Sequence, residues 1–155
     1  MFRLKNFPLK FMISFYLLIG SYLICDWAWI GLRINTSESL PFHAFASTPL
    51  KEIQRDLYVS LHHPLNSIKL AKKIVGIPGD EIKIDHQHVY LNGKNYGMIL
   101  DKTRSGTSIH PISEGLIPEG FVFVHASHPQ SFDSRYKEFG LIRVDQIIEV
   151  LWPIF

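Results

Sequence analysis

The chain has 155 residues, 46% of them hydrophobic and 13% aromatic, which is a single-domain length with ample material for a packed core. Sixteen Lys and Arg against 14 Asp and Glu leave a net charge of +2 with no long basic block, so no nucleic-acid footprint is offered and that class is set aside. The only cysteine, Cys25, lies in the most apolar stretch, which excludes a disulfide framework and a cysteine-based metal site.

The amino end, MFRLKNFPLK, carries Arg3, Lys5 and Lys10 and no acid, and is followed by the uncharged run FMISFYLLIGSYLIC. A helix over residues 11–32 is about 33 Å long at 1.5 Å per residue, enough to cross a hydrocarbon core ~30 Å thick. Asp26, Trp27 and Trp29 suit one interface, and the basic residues ahead of the span favour a cytoplasmic amino terminus. The end of the run, LICDWAWIGL, has no small-x-small cleavage site, so an uncleaved anchor is expected rather than a removed signal. The expected organisation is a cytoplasmic stretch over 1–10, a transmembrane anchor over 11–32 and an outer domain over 33–155.

From Arg33 onward, short β-rich runs alternate with Gly, Pro, Asn and Asp. RDLYVSL, KKIVGI, EIKID and HVYL read as strands, and Asn92-Gly93 stands where a two-residue hairpin turn needs positive φ. GFVFVHA and LIRVDQIIEVLW supply further strands, while residues 101–120 read as a long connection. The fold class is mainly β: a small barrel or sandwich with one amino-terminal transmembrane helix.

Three stretches carry chemistry. In NTSESLPFHAF, an extended backbone puts Ser37 and Ser39 on one face, so one hydroxyl can attack a carbonyl while the other, with a backbone N–H, holds the oxyanion. A serine needs a base, and no histidine nearby stands in a familiar hydrolase context. In LAKKIVGIPGDEI, Lys72 and Lys73 open an apolar run. An ordinary lysine near 10.4 is almost wholly protonated at neutral pH, so a lysine base must be desolvated at a cost of roughly 3 to 5 kcal/mol. Periodicity does not choose between the two, because alternate residues starting from 70 or from 71 each form a mixed face. In HPQSFDSRYKEFG, Asp133 and Arg135, two apart on a strand, would share a face and form a bidentate pair.

Taken together, a serine and Leu-Pro after an anchor, then KKIVGIPGD, then SFDSRY with a following glycine resemble the type I signal peptidases. The spacing is closest to their conjugal-transfer, TraF-like branch of pilin-processing peptidases. The resemblance covers the anchor and essentially the entire outer domain. It implies a signal-peptidase-like β-fold and a Ser-Lys dyad of Ser39, the nucleophile, and Lys72, the general base. It further implies that Ser37 helps form the oxyanion hole with the Ser39 backbone, that Ser131 orients the lysine, and that Asp133 and Arg135 brace the site. The implied setting is the bacterial inner membrane with the catalytic domain periplasmic, and the implied substrate is a polypeptide precursor, a pilin or a signal-peptide-bearing protein. Members of the branch include ones that join a pilin's ends into a ring. The sequence departs from the pattern at His43, which stands in a glycine place, and at Lys137-Glu138-Phe139, which intervenes before Gly140. The outer part is also too short for the large accessory domain of general signal peptidases.

No metal or cofactor is implied. The eight histidines include no His-x-x-x-His spacing; His86 and His88 share an expected strand face, which reads as a solvated hairpin. A membrane-tethered β scaffold of a pilus or secretion assembly is the non-enzymatic alternative. Substrate identity, cleavage sequence, hydrolysis against cyclisation, oligomeric state and host are not legible.

Overall fold

The computed structural model describes residues 9–27, 31–35, 40–63, 68–103 and 105–155. The chain divides into two compact units, Met1–Gly31 and Leu32–Phe155. Ser37 and Ser39 lie outside the described residues, as do Arg3, Lys5 and Trp29 and the side chains of Cys25, Asp26 and Trp27.

In the first unit, helix α1 spans Leu9–Trp27. Four consecutive side chains, Phe15, Tyr16, Leu17 and Leu18, are all exposed, so its apolar surface runs round the whole circumference. Among the described residues no helix is long and apolar enough to cross a membrane. The span expected over residues 11–32 remains an inference from the sequence. Its carboxyl end is corrected, since Gly31–Ile34 form strand β1 rather than a last helical turn. That segment gains more as a strand: β1 lies beside β2 (Ala44–Thr48), the Asn35 N–H donates to the His43 carbonyl at 2.8 Å, and Arg33 forks onto Glu149.

The second unit is mainly β, as expected. One sheet has seven strands in the order β1-β2-β11-β3-β4-β9-β10, with β3 at Tyr58–His62, β4 at Lys69–Gly76, β9 at Phe121–His125, β10 at Ile142–Arg143 and β11 at Ile147–Pro153. A four-stranded sheet runs β7-β6-β5-β8, with β5 at Glu81–Asp85, β6 at His88–Leu91, β7 at Lys94–Met98 and β8 at Gly115–Leu116. Asn92 and Gly93 both take positive φ between β6 and β7, as the hairpin turn demands.

LIRVDQIIEVLW forms two strands, not one, because a 3-10 turn at Val144–Gln146 separates β10 from β11. Residues 101–120, expected as a bare connection, contain β8 and a short hairpin closed by the Lys102 to Ser108 bridge. His86 and His88 do not share a strand face: His86 and Gln87 take positive φ in the turn between β5 and β6.

The strand that positions the site is β4. It is central, pairing antiparallel with β3 (Val59 opposite Lys72) and with β9 (Lys73 opposite His125). Leu70 and Ile74, on the same face as Lys72, pack into a cluster with Val59, Leu61, Val122, Val124 and Phe139. An irregularity between Ile74 and Gly76 shifts the register against β9. Gly76 has no room for a side chain there, because a Cβ would stand 2.6 Å from Ile117 Cδ1 and 2.8 Å from Phe123 Cβ. The following turn is tied by buried Asp80, which accepts from the Ile77 N–H and Asn92 Nδ2, both at 2.8 Å, and pairs with Arg55.

Candidate active site

Lys72 is 2% exposed. Its Nζ lies 5.9 Å from the centre of the Phe139 ring and donates to Ser131 Oγ at 2.6 Å. Burial pushes the Lys72 pKa down from 10.5 to about 8; the Asp133 carboxylate pulls it back up and the Arg135 guanidinium pushes it down again. At pH 7 about one molecule in ten then carries a neutral amine, against about one in three thousand for an ordinary lysine.

Lys73, the next residue, points to the other face. Its Nζ meets Asp56 Oδ1 at 2.7 Å, and that hydrogen bond holds its pKa above the ordinary lysine value. The structure therefore separates two lysines that periodicity left equivalent, and does so through residues far away in sequence: Ser131 and Phe139 cover the Lys72 side.

Ser131 sits in a tightly bonded loop after β9, not on a strand. Asp133 and Arg135 are 0% and 1% exposed and form a two-pronged pair, Arg135 Nε to Asp133 Oδ1 at 2.8 Å and Nη2 to Oδ2 at 3.1 Å. They meet because the Arg135 N–H turns back onto Asp133 Oδ1 at 3.2 Å, so the pair is made by a local turn rather than by a shared strand face. Arg135 Nη2 also donates to the Ser131 carbonyl at 2.9 Å and Nη1 to the Met98 carbonyl at 3.2 Å, which fixes the backbone that carries the Ser131 hydroxyl. Asp133 accepts from the Ala126 N–H at 3.2 Å, and His125 Nδ1 lies 3.1 Å from its Oδ2. Burial alone would raise the Asp133 pKa, but the contacts from His125 and Arg135 outweigh it and hold the carboxyl below its usual range.

Several members of this arrangement were not singled out from sequence. Buried Ser134 accepts from the Val124 N–H at 3.1 Å and locks the loop to β9. Phe139, read only as part of an insertion before Gly140, supplies the ring over the lysine. His125, which approaches Asp133, carries no sequence signal of that contact. No local signal marks these residues; each acts through a partner brought in by the fold.

Two cavities are lined by residues adjoining this arrangement. One, of about 320 Å³, is lined by Arg33, Ser60, Lys69, Ala71 and Glu149 among others. The other, of about 470 Å³, has Ser131 and Phe132 in its wall. Phe45 is 1% exposed and packs with Phe42 and Tyr58. Among the described residues, no group of three or more His, Cys, Asp or Glu could hold a metal ion.

A family model described as signal peptidase, peptidase S26, matches residues 11–152. The chain belongs to the signal peptidase S26 family. Within the family, the conjugal transfer protein TraF of Agrobacterium fabrum (strain C58) is 32% identical over 87 residues, 56% of this chain and 48% of the relative. TraF of Agrobacterium tumefaciens (strain 15955) is 28% identical over 88 residues, with the same shares. This family member thus stands with TraF-like relatives, and it spans about half the length of the curated relatives it matches. A signal peptidase I from Enterococcus faecalis V583, known from its crystal structure, aligns with a TM-score of 0.44 and 26% identity, covering 66% of this chain and 98% of that one.

Proposed function

We propose that the chain is a membrane-anchored serine endopeptidase with a Ser39-Lys72 dyad that processes a secreted or pilin precursor for conjugative transfer. The observation that carries the reading is the Lys72 amine, 2% exposed, bonded to Ser131 Oγ at 2.6 Å. A cation placed there has no stabilising role that an apolar side chain would not fill better, and its lowered pKa suits a proton acceptor at neutral pH.

Neutral Lys72 takes the Ser39 proton as the hydroxyl attacks the carbonyl of an extended precursor segment. Ser37 and the Ser39 N–H donate to the oxyanion. The protonated amine then delivers its proton to the leaving nitrogen, leaving an acyl-enzyme. Ser131 holds the amine on line, and the Asp133-Arg135 pair holds Ser131. No cofactor takes part.

The apolar circumference of α1 and the basic residues before it support a tether in the bacterial inner membrane, amino terminus cytoplasmic and catalytic domain periplasmic. A tether confines enzyme and membrane-bound precursor to one surface and raises their effective concentration. The similarity to TraF proteins supports a conjugative substrate over signal peptides in general.

The test follows a precursor pilin in cells carrying the intact chain or Ser39→Ala. Loss of processing in Ser39→Ala is expected, whereas a tethered scaffold would tolerate the loss of one hydroxyl. The intact mass of the product separates a linear pilin from a ring by one water.

A further inference from the structure

The cavity of about 470 Å³ beside Ser131 plays no part in the dyad chemistry, and its walls have a definite character. Phe132 forms one side, stacked on Tyr136 at 5.9 Å and on the His63 ring at 5.5 Å. Leu100 and Ile109 face it from the ends of the hairpin that follows β7, and the Leu100 N–H donates to Tyr136 Oη at 3.3 Å, joining the two walls. The rim is polar and partly charged: Lys102, Gln130 and Glu138 line the cavity beside Thr103, Ser105 and Thr107, with Thr103 Oγ1 2.9 Å from Ser105 Oγ. A largely apolar interior with a polar rim, in a volume within the range of roughly 300–1,000 Å³ usual for ligand cavities, suits a large apolar side chain whose main chain lies across the polar groups.

Its location decides the occupant. Ser131 contributes to the cavity wall while its Oγ accepts from Lys72 Nζ at 2.6 Å, so a group seated there is one residue away from the reacting amine. The charge state is suitable as well, since burial and then the nearby Lys72 charge hold the His63 pKa below its ordinary value, leaving a neutral ring against the aromatic stack. The cavity that includes Ala71 and Lys69 lies along the strand residues preceding Lys72, whereas this one adjoins Ser131.

We propose that the cavity bounded by Phe132, Tyr136, Leu100 and Ile109 is a specificity pocket for a large apolar side chain, Leu or Phe, of the polypeptide substrate at one position flanking the cleaved bond. This rests on the peptidase reading above. It adds a requirement that the dyad alone does not impose: the precursor is gripped on the Ser131 side of the amine.

The experiment uses the full chain in detergent and a library of internally quenched peptides with Ala, Leu or Phe at each position around the cleaved bond. The intact chain is expected to prefer Leu or Phe over Ala by about tenfold in kcat/KM at one position, as one buried apolar side chain allows. Leu100→Trp, which fills the pocket from within, and Thr107→Trp, which closes it from the rim, should each collapse that ratio towards one. Cleavage of the Ala peptides by the same variants reports that they are folded. A preference that survives in both variants, or no apolar preference at any position, overturns the pocket.

Ser39→Ala is assayed in parallel. If it still cleaves, the peptidase reading itself fails; if it is inactive while the preference persists in both Trp variants, only the pocket fails. Should no library peptide turn over, N-acetyl-phenylalanine amide is titrated into the intact chain and followed by NMR. Shifts of the Phe132 and His63 rings that Thr107→Trp abolishes support the pocket, and unmoved rings overturn it.

Discussion

On one face of β4, Lys72 is 2% exposed, covered by an aromatic ring and bonded to a hydroxyl; on the other, Lys73 reaches a carboxylate in water. The ion pairs around the strand divide in the same way. Asp133 and Arg135 are closed off from solvent, whereas Arg55, which meets buried Asp80, leaves 42% of its own side chain exposed. Adjacent residues with the same functional group thus acquire opposite chemistry. The dry environment makes an amine reluctant to hold its proton, and the wet one makes an amine that keeps it.

The comparison breaks most sharply on activity. Lys72→Met is expected to lower peptide cleavage by about 10³ to 10⁴, the contribution of a positioned base, while Lys73→Met stays within about threefold. Equal losses in the two variants, measured as kcat/KM on one peptide, would erase the distinction.

Stability should move the other way. Holding a pKa of about 8 against 10.5 disfavours the folded state by about 3 kcal/mol below pH 8. Between about pH 8 and 10.5 the unfolded chain binds more protons than the folded one, so stability rises with pH there. Lys72→Met removes that burden and leaves Ser131 without its partner, a loss of about 1 kcal/mol. It should therefore be more stable than the parent at pH 7 in urea unfolding, with the advantage fading as pH approaches 10.5.

The two ion pairs sharpen the same contrast. Asp133→Ala strands a buried guanidinium and is expected to cost about 3 to 5 kcal/mol. If Lys72 is the base as proposed, kcat/KM should climb about tenfold per pH unit below pH 8 and level off above it, because only the neutral amine accepts a proton. A flat profile between pH 6 and 8 would contradict a lysine base. The smallest effect is expected at the wet pair: Arg55→Ala should cost about 1 kcal/mol or less, since Asp80 keeps its bonds from Ile77 and Asn92.

The division of β4 also shows what the sequence could and could not say. Strands at YVSL, KKIV, EIKID, HVYL and FVFVH, and the turn at Asn92-Gly93, were legible because alternation and turn residues are local properties. β1 was hidden at the end of an apolar run, since four residues of GLRI fit a helix as well as a strand until β2 and Glu149 supply partners. The motif residues Lys72, Ser131, Asp133 and Arg135 could be named from resemblance, and the fold brings these four together. Which lysine faces Ser131 could not be derived from alternation, because the answer lies 59 residues downstream. Phe139 and Ser134 escaped for the same reason. Ser37 and Ser39 fall outside the described residues, so their geometry still rests on the sequence alone.

The place of β11 in the large sheet has a temporal consequence. Residues 147–153 insert between β2 and β3, so two strands made early in synthesis wait for one made about a hundred residues later before they can share a neighbour. Such long-range pairing is slow to form, and the covering of Lys72 by Ser131 and Phe139 depends on comparably late segments. A nascent or half-folded chain therefore carries an ordinary, fully protonated lysine and, in the proposed mechanism, no working base. In the proposed mechanism, assembly of the sheet is thus itself the safeguard that keeps the peptidase silent until it is finished.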